Sequence, residues 1–354
     1  MHATRGTLLR TQNRFERTSL EAFDDGWDSP EAVEIPIVQT EFLPDQSKTI
    51  LAKNDSPDLG FTYSINAYRG CEHGCAYCYA RPTHEYLGMN AGIDFESKIM
   101  VKHNAAELLR EAFDKPSWKP QFVMMSGNTD CYQPAERRFG ITRKVLEVFL
   151  DYRNPVGIIT KNALILRDRD LLQEMARLNL VSVFFSITSL DRDLARKLEP
   201  RTSTPDRRLQ ALHTLAEAGI PVGVMIGPVI PGLNDEEVPA ILRAAREAGA
   251  KSAGYNMVRL PYSVRPIFEE WLTQNVPLEA KKIITRIQMV RDNGSSNGRM
   301  NDPEFGSRMR GTGGYAEYIN DLFKKTCKRL GLNEQRTSLT VEHFRRQGER
   351  TLFD

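Results

Sequence analysis

Cysteine is scarce in this chain, whose 354 residues include only five. An excess of charge of one sign is also missing, because 48 Lys and Arg residues against 46 Asp and Glu residues give a formal net charge of +2. No stretch approaches the roughly 20 consecutive apolar residues that a membrane-spanning helix needs. The sequence therefore predicts no membrane span, and its charge neither requires nor excludes a polyanionic partner.

The N-terminal sequence MHATRGTLLRTQNR has arginines but lacks the apolar stretch and the small residues of a secretory signal. We therefore expect a cytoplasmic protein whose thiols are reduced. The stretch before Glu16 contains no acidic residue, so a transit peptide is an alternative to a plain tail. Residues 1–59 are polar, carry the acidic patch DDGWDSPEAVE and lack sustained periodicity, which predicts a partly irregular N-terminal extension.

From residue 60 onward, apolar segments of strand length alternate with amphipathic segments of helix length. The strand candidates are FTYSINAY, QFVMMSG, PVGIITK, VSVFFSIT, PVGVMIGPVI and KSAGYNMVRLP. Such alternation predicts a parallel sheet covered by helices. Six units fall short of the eight that close a full barrel, so we expect an α/β fold with a partial (β/α)6 TIM-type barrel over residues 60–265. A doubly wound sheet is the alternative.

Residues 266–354 have a different pattern, with two helical segments separated by a loop rich in glycine and arginine. We interpret this region as a cap over the sheet, and its Arg299, Arg308 and Arg310 are candidates for binding phosphate. In both candidate folds the chemistry belongs at the C-terminal ends of the strands.

Three of the five cysteines, Cys71, Cys75 and Cys78, lie within eight residues in RGCEHGCAYCYARP, after the first predicted strand. A zinc site is one interpretation, with His73 or His84 as the fourth ligand, but zinc sites usually combine two ligand pairs and this chain has no second CxxC. The other interpretation is a [4Fe–4S] cluster held by three thiolates, whose fourth iron is open to a substrate or cofactor.

The CxxxCxxC spacing, with Tyr77 before the third cysteine, resembles the signature of the radical SAM superfamily. That resemblance implies S-adenosylmethionine bound to the open iron and a reductant such as flavodoxin or ferredoxin. It also implies reductive cleavage of S-adenosylmethionine to a 5′-deoxyadenosyl radical, which abstracts a hydrogen atom from the substrate.

Residues 62–260 also resemble the spore photoproduct lyase branch, through CAYCY, NTD, ITK, SIT, EPRTSTPDRRLQA and GIPVGVMIGP. This similarity implies that Thr129 and Ser186 hydrogen-bond the amino-acid end of S-adenosylmethionine and that Lys161 meets polar groups of that cofactor. It further implies that Gly227 brings its backbone close to the cofactor and that Tyr77 packs beside the cluster and the adenosine.

The chain departs from that branch at one position. The branch has a hydrogen-donating cysteine just before its T-S-D segment, where this chain has Gly127. Cys131, Tyr79 and Tyr132 are therefore candidates for a hydrogen donor or radical relay. The chain is also similar to a bacterial group of uncharacterised radical SAM proteins that share the run TYSIN-YRGCEHGC-YCYARPTHEYLG.

Three hypotheses for function follow from these observations. The first is a radical SAM enzyme of lyase type with an unidentified substrate, nucleic acid being one candidate. The second is a zinc-stabilised nucleic-acid-binding protein, and the third is an iron–sulfur scaffold or sensor without turnover. His84 and Glu85, just after the cysteines, either brace the loop or line the substrate mouth.

Overall fold

The computed structural model describes residues 5–16, 38–292, 298–334 and 338–346. The acidic patch DDGWDSPEAVE lies outside the described residues. In the described part of the chain, no helix is long and apolar enough to cross a membrane.

Ten strands in the described residues form two sheets. The larger sheet has the order β10-β9-β8-β7-β6-β3-β2, and the smaller has the order β1-β5-β4. The strands are β1 (Glu41–Pro44), β2 (Leu51–Lys53), β3 (Tyr63–Ile65), β4 (Tyr68–Arg69), β5 (Lys98–Val101), β6 (Val123–Met125), β7 (Val156–Thr160), β8 (Val181–Ser186), β9 (Val222–Val229) and β10 (Ser252–Met257).

Eleven α-helices occur in the described residues, and α2, α4, α5, α7 and α8 lie in the connections between successive parallel strands. The helices are α1 (Ile93–Ser97), α2 (Ala105–Asp114), α3 (Glu136–Phe139), α4 (Ile141–Tyr152), α5 (Arg169–Arg177), α6 (Arg192–Leu198), α7 (Pro205–Glu217), α8 (Val238–Glu247), α9 (Val264–Asn275), α10 (Ala280–Arg291) and α11 (Gly313–Leu330).

The predicted α/β fold is confirmed. Strands β3, β6, β7, β8, β9 and β10 are parallel and lie in the sheet in the order in which they occur along the chain. A doubly wound sheet reverses its strand order at a switch point, and these six strands show no such reversal. The order is that of an open, partial (β/α)6 barrel, which places all six C-terminal strand ends at one edge.

One face of the central strands is completely buried. Val183 and Phe185 of β8 and Val224 of β9 have no exposed surface, and alternate residues of a strand lie on the same face. The residues between them are only partly buried but include apolar ones such as Phe184 and Met225. This is why the sequences of β8 and β9 are nearly continuous apolar runs.

The segment FTYSINAY, predicted as one strand, forms two. Strand β3 ends at Ile65, and β4 then joins the smaller sheet by pairing with β5. The side chain of Asn66 accepts hydrogen bonds from the backbone N–H groups of Gly127 and Asn128, both at 3.0 Å. The chain is thereby held at the end of β6 while it turns, and the cysteine loop begins from β4.

The C-terminal helices form a second core with the cysteine loop. Phe268 and Trp271 of α9 belong to the same buried cluster as Cys75 and Tyr77. Helix α9 was not predicted, because its sequence follows directly on the last strand without a clear start signal. Its position shows that the C-terminal region packs on the loop that carries the cysteines.

We predict that Gly249→Ala destabilises the protein more than Gly219→Ala. Both glycines follow a helix and have a left-handed backbone, with φ of +105° and +77°. An added Cβ at Gly249 would lie 2.6 Å from Cβ of Ala216, whereas no atom lies within 4 Å of one at Gly219. Gly219→Ala should therefore lower the free energy of unfolding only by the cost of a left-handed backbone at alanine, about 1–2 kcal/mol. Equal losses of free energy in urea unfolding would contradict the close approach of α7 and α8.

Candidate active site

The three clustered cysteines lie on one loop between β4 and the 3₁₀ helix Arg81–Leu87. All are free thiols, with Cys71 and Cys75 buried and Cys78 partly exposed. Burial is the largest influence on their acidity, and it raises the pKa of all three thiols. Thiolates in this loop would therefore need a cation to stabilise them, as bound iron does.

Hydrogen bonds from several distant segments fix the backbone of this loop. The Cys71 N–H donates to the carbonyl of Phe95 at 2.9 Å, and the Ala76 N–H donates to that of Leu198 at 3.0 Å. The side chain of Gln133 accepts from the Glu72 N–H at 2.9 Å. The loop is thus braced by residues before β5, after β6 and at the end of α6.

A fully buried ion pair supports the loop from below. Arg81 donates to the carbonyl oxygen of Cys75 from Nε and Nη2, at 3.1 and 2.9 Å, and to that of Gly92 from Nη1 at 3.0 Å. Its Nη2 also lies 2.5 Å from Oε1 of Glu96, and both side chains have 0% exposure. Arg81 therefore ties the middle of the cysteine loop to the start of α1.

The N-terminal segment is anchored on the same carboxylate. The N–H groups of Gly6 and Thr7 donate to Glu96 at 2.8 and 3.1 Å, and Arg5 donates to the Glu96 carbonyl at 2.7 Å. A Cβ on Gly6 would lie 1.6 Å from the carbonyl oxygen of Gly74, within the cysteine loop. Residues of the N-terminal extension therefore cover the cysteine loop in close backbone contact.

Polar side chains at the ends of β7 and β8 form a second group. Lys161 Nζ donates to Ser186 Oγ at 2.6 Å and to the carbonyl oxygen of Gly227 at 2.9 Å, and lies 3.1 Å from Glu199 Oε1. It also lies 5.7 Å from the centre of the Tyr77 ring. The lysine therefore links three strand ends to the cysteine loop.

Glu199 is the buried anion of this group. Its carboxylate pairs with Arg208 and accepts hydrogen bonds from Thr188 and from the hydroxyl of Tyr77. Burial by itself raises the pKa of Glu199, but the positive charges of Arg208 and Lys161 and these hydrogen bonds lower it well below its usual range. Glu199 is therefore ionised, and it holds both Lys161 and Tyr77 in position.

Both ring nitrogens of His73 have polar partners. Its Nδ1 lies 3.4 Å from Oδ2 of Asp130, and its Nε2 lies 3.2 Å from Nδ2 of Asn162. The Nε2 of His84 lies 2.9 Å from the carbonyl oxygen of Lys98. No group of three or more His, Cys, Asp or Glu side chains in the described residues is arranged around a single metal ion.

Comparison with known proteins identifies the family. The family model described as the radical SAM superfamily matches residues 65–245, just over half of the chain. The chain belongs to the radical SAM superfamily. Radical SAM chemistry implies S-adenosylmethionine, a [4Fe–4S] cluster and a reductant.

Solved structures of spore photoproduct lyase share the fold of this radical SAM chain. One is a mutant with bound AdoMet and dinucleoside spore photoproduct, with a TM-score of 0.58, 16% identity and coverage of 82% of this chain and 80% of that one. A second mutant structure has a TM-score of 0.57 and the same identity and coverage. At this identity the likeness shows a common fold.

Sequence relatives are uncharacterised proteins. One from Mycobacterium tuberculosis is 39% identical over 221 residues, which is 62% of this chain and 65% of that protein. One from Methanocaldococcus jannaschii is 34% identical over 178 residues, which is 50% of this chain and 64% of that protein. The matched part thus spans just under two thirds of the length of each relative.

The strand ends beside the cysteine loop fit the S-adenosylmethionine that radical SAM enzymes use. Oδ1 of Asn256, near the end of β10, is buried without a hydrogen-bond partner in the described residues. A Cβ on Gly227 would lie 3.2 Å from that oxygen and 3.4 Å from Ser186 Oγ. The absence of a side chain at Gly227 leaves room between them, and a ligand could satisfy the Asn256 carbonyl.

The predicted cofactor-binding residues fall into two places. Tyr77, Lys161, Ser186 and Gly227 meet in the single network around Glu199. Thr129 is engaged elsewhere, because its hydroxyl donates to the carbonyl of Gly70 at 2.7 Å and accepts from Gln133 at 2.9 Å.

The three predicted relay candidates are also separated. Cys131 and Tyr132 are completely buried in the main core, whereas Tyr79 is 45% exposed and donates its hydroxyl to the carbonyl of Gly127. The hydroxyl of Tyr79 therefore lies just after the C-terminal end of β6.

Several residues of the site were not singled out from the sequence. These are Glu199 and Arg208, which lie within the quoted segment EPRTSTPDRRLQA, and Arg81, Glu96, Thr188 and Asn256. An acid followed by Pro at the end of a short helix gave a weak signal for Glu199. Only the fold shows that its partners come from three other segments.

We predict that Glu199→Gln flattens the acid dependence of stability. The folded-state pKa of Glu199 lies below the unfolded value of 4.5, so the unfolded state binds more protons and the stabilisation is lost as the pH falls below about 4.5. Between about pH 6 and pH 3.5, the free energy of unfolding measured with urea should fall less in the variant than in wild type. Glu217→Gln, at an exposed position of α7, is the control. Equal slopes for wild type and Glu199→Gln would rule out the lowered pKa.

Proposed function

We propose that this protein binds a [4Fe–4S] cluster through Cys71, Cys75 and Cys78 and cleaves S-adenosylmethionine reductively. The observation that carries the proposal is the position of Lys161 and Ser186, at the strand ends directly beside the cysteine loop. Three free thiols and a partly buried ammonium group linked by Tyr77 provide ligands for iron and for a carboxylate. Bound together, the two cofactors supply a 5′-deoxyadenosyl radical for hydrogen abstraction.

In this proposal each residue of the network has one task. Lys161 attracts the carboxylate of S-adenosylmethionine, and Ser186 offers that end of the cofactor a hydroxyl. Gly227 leaves space for it, and the Asn256 carbonyl accepts a hydrogen bond from an N–H or O–H group. Glu199 fixes the direction of Lys161 and Tyr77 before the cofactor arrives, which lowers the entropy cost of binding.

We propose Tyr79 as the hydrogen relay, since its phenol is the exposed one among the three candidates. Its hydroxyl lies at Gly127, and its neighbour Cys78 places it next to the cluster ligands. The ordinary pKa of a tyrosine is about 10, so the phenol of Tyr79 keeps its proton at neutral pH. A protonated phenol can donate a hydrogen atom, whereas a phenolate cannot.

The substrate proposal is nucleic acid, reached under the C-terminal cap. It is supported by the fold shared with spore photoproduct lyase, which has been solved with a dinucleoside photoproduct. Of the cap arginines, Arg308 pairs with Asp58, while Arg310 lies 4.1 Å from the centre of the Tyr255 ring. Flavodoxin or ferredoxin is the proposed reductant.

Anaerobic reconstitution tests the cluster. Wild-type protein should take up about four irons, become brown and yield 5′-deoxyadenosine when reduced with S-adenosylmethionine. Cys78→Ala should lose the visible absorbance and the nucleoside product. Cys327→Ala, which removes a buried thiol of α11, should keep both. A colourless wild-type protein that binds zinc would contradict the proposal, and a cluster without nucleoside product would indicate a scaffold.

Lys161→Ala tests the cofactor site. Loss of a charge-assisted hydrogen bond should weaken the binding of S-adenosylmethionine about tenfold or more, measured by equilibrium dialysis on reconstituted protein. Lys197→Ala, on the exposed side of α6, removes the same charge and should leave the affinity unchanged. Unchanged affinity in Lys161→Ala would remove this lysine from the site.

A further inference from the structure

The guanidinium group of Arg259 contacts an aromatic ring but has no hydrogen-bond acceptor in the described part of the chain. It lies two residues after β10, is half-buried, and stacks over the ring of Tyr79 with 5.3 Å between Cζ and the ring centre. Within the described residues it forms neither a hydrogen bond nor an ion pair. A guanidinium carries five N–H donors and stays charged in proteins, so burying it partly without an acceptor is unfavourable.

The Arg259–Tyr79 pair spans the mouth of the partial barrel. Arg259 extends from the end of β10, the last strand of the sheet, whereas the Tyr79 hydroxyl is held at Gly127, just after β6. Three strands, β7, β8 and β9, lie between them in the sheet. A ligand that covers the strand ends therefore passes close to this pair.

The neighbouring arginines are committed to other contacts. Arg291 is buried and donates to the carbonyl oxygens of Met257, Val258 and Arg308. Arg308 donates from Nε to Asp58 at 2.5 Å. Arg291 thus holds the cap against the end of β10, and Arg308 holds it against the segment before β3. In the described residues the donors of Arg259 make no such bond.

The surroundings of Arg259 favour an anion. Burial lowers the pKa of Arg259, and the nearby charge of Arg308 lowers it further, although the phenol of Tyr79 and the carboxylates of Asp58 and Asp302 oppose this effect. The cation is therefore poorly compensated where it lies. An oxyanion would satisfy several N–H donors at once, because the planar fork of a guanidinium matches two oxygens of a phosphate or carboxylate.

We propose that Arg259 binds an oxyanion of the substrate, a phosphate or carboxylate group, above the ring of Tyr79. This inference deepens the proposed function and rests on it for the location of the substrate over the strand ends. The site is separate from Lys161, which reaches Ser186 and Gly227 at the ends of β8 and β9. The mouth would then hold two anionic groups, one from the cofactor and one from the substrate.

Equilibrium dialysis with labelled inorganic phosphate and, in a second arm, labelled acetate tests the inference. The protein is reconstituted and saturated with S-adenosylmethionine, without reductant, so that the Lys161 site is filled. Arg259→Gln should weaken binding of the preferred anion about tenfold or more, because a charged hydrogen-bond partner is lost. Arg259→Lys keeps the positive charge but lacks the planar pair of N–H donors, so its anion affinity should lie between those of wild type and Arg259→Gln. The arm with the tighter binding identifies the anion.

Arg329→Gln is the matched control, since it removes one positive charge from the cap at an exposed position in the last turn of α11. It should retain the wild-type anion affinity. The inference is overturned if wild type binds neither anion more tightly than about 10 mM, or if Arg329→Gln weakens binding as much as Arg259→Gln. Wild type that yields 5′-deoxyadenosine but binds no anion contradicts this inference alone. Binding through Arg259 without that nucleoside contradicts the proposed function instead.

Discussion

The pairing of Arg81 with Glu96 is the constraint on which the geometry of the site depends. Each charge is removed from water, so either one alone would be strongly destabilising. Arg81 uses its remaining donors on carbonyl oxygens of the cysteine loop and of the turn before α1, while Glu96 accepts from the backbone of Gly6 and Thr7. One buried pair therefore joins the cysteine loop, the segment before β5 and the N-terminal residues. The N-terminal extension is consequently part of the support of the site.

The network around Glu199 fixes the same cysteine loop at a second point. Arg81 holds the carbonyl of Cys75, the carbonyl of Leu198 holds the N–H of Ala76, and Glu199 holds the hydroxyl of Tyr77. Three consecutive residues are thus fixed at three different groups by partners from separate elements. A ligand-binding loop held at this many points loses little further entropy when its ligand binds.

The sequence predicts local structure here better than it predicts the site. Helix α4 covers Ile141–Tyr152 as its pattern indicates, and Pro239 lies in the first turn of α8, where a missing N–H costs nothing. Strands β1 and β5 were missed because they are short and belong to a separate sheet. The cysteine spacing is local and was recognisable. The partners Glu96 and Glu199 follow from contacts between residues far apart in the chain, which no spacing encodes.

The arginines show why composition alone is a poor guide to binding. Arg308 looks available in a glycine-rich loop, yet the fold pairs it with Asp58, from the segment that precedes β3. Arg259, in the plain segment MVRLP, looks like an ordinary residue after a strand. What distinguishes the two is the state of their donors: Arg308 donates to Asp58 and Ser56, whereas Arg259 donates to no acceptor in the described residues. A partly buried guanidinium without an acceptor lowers the stability of the fold, and in our proposal the bound anion offsets this cost.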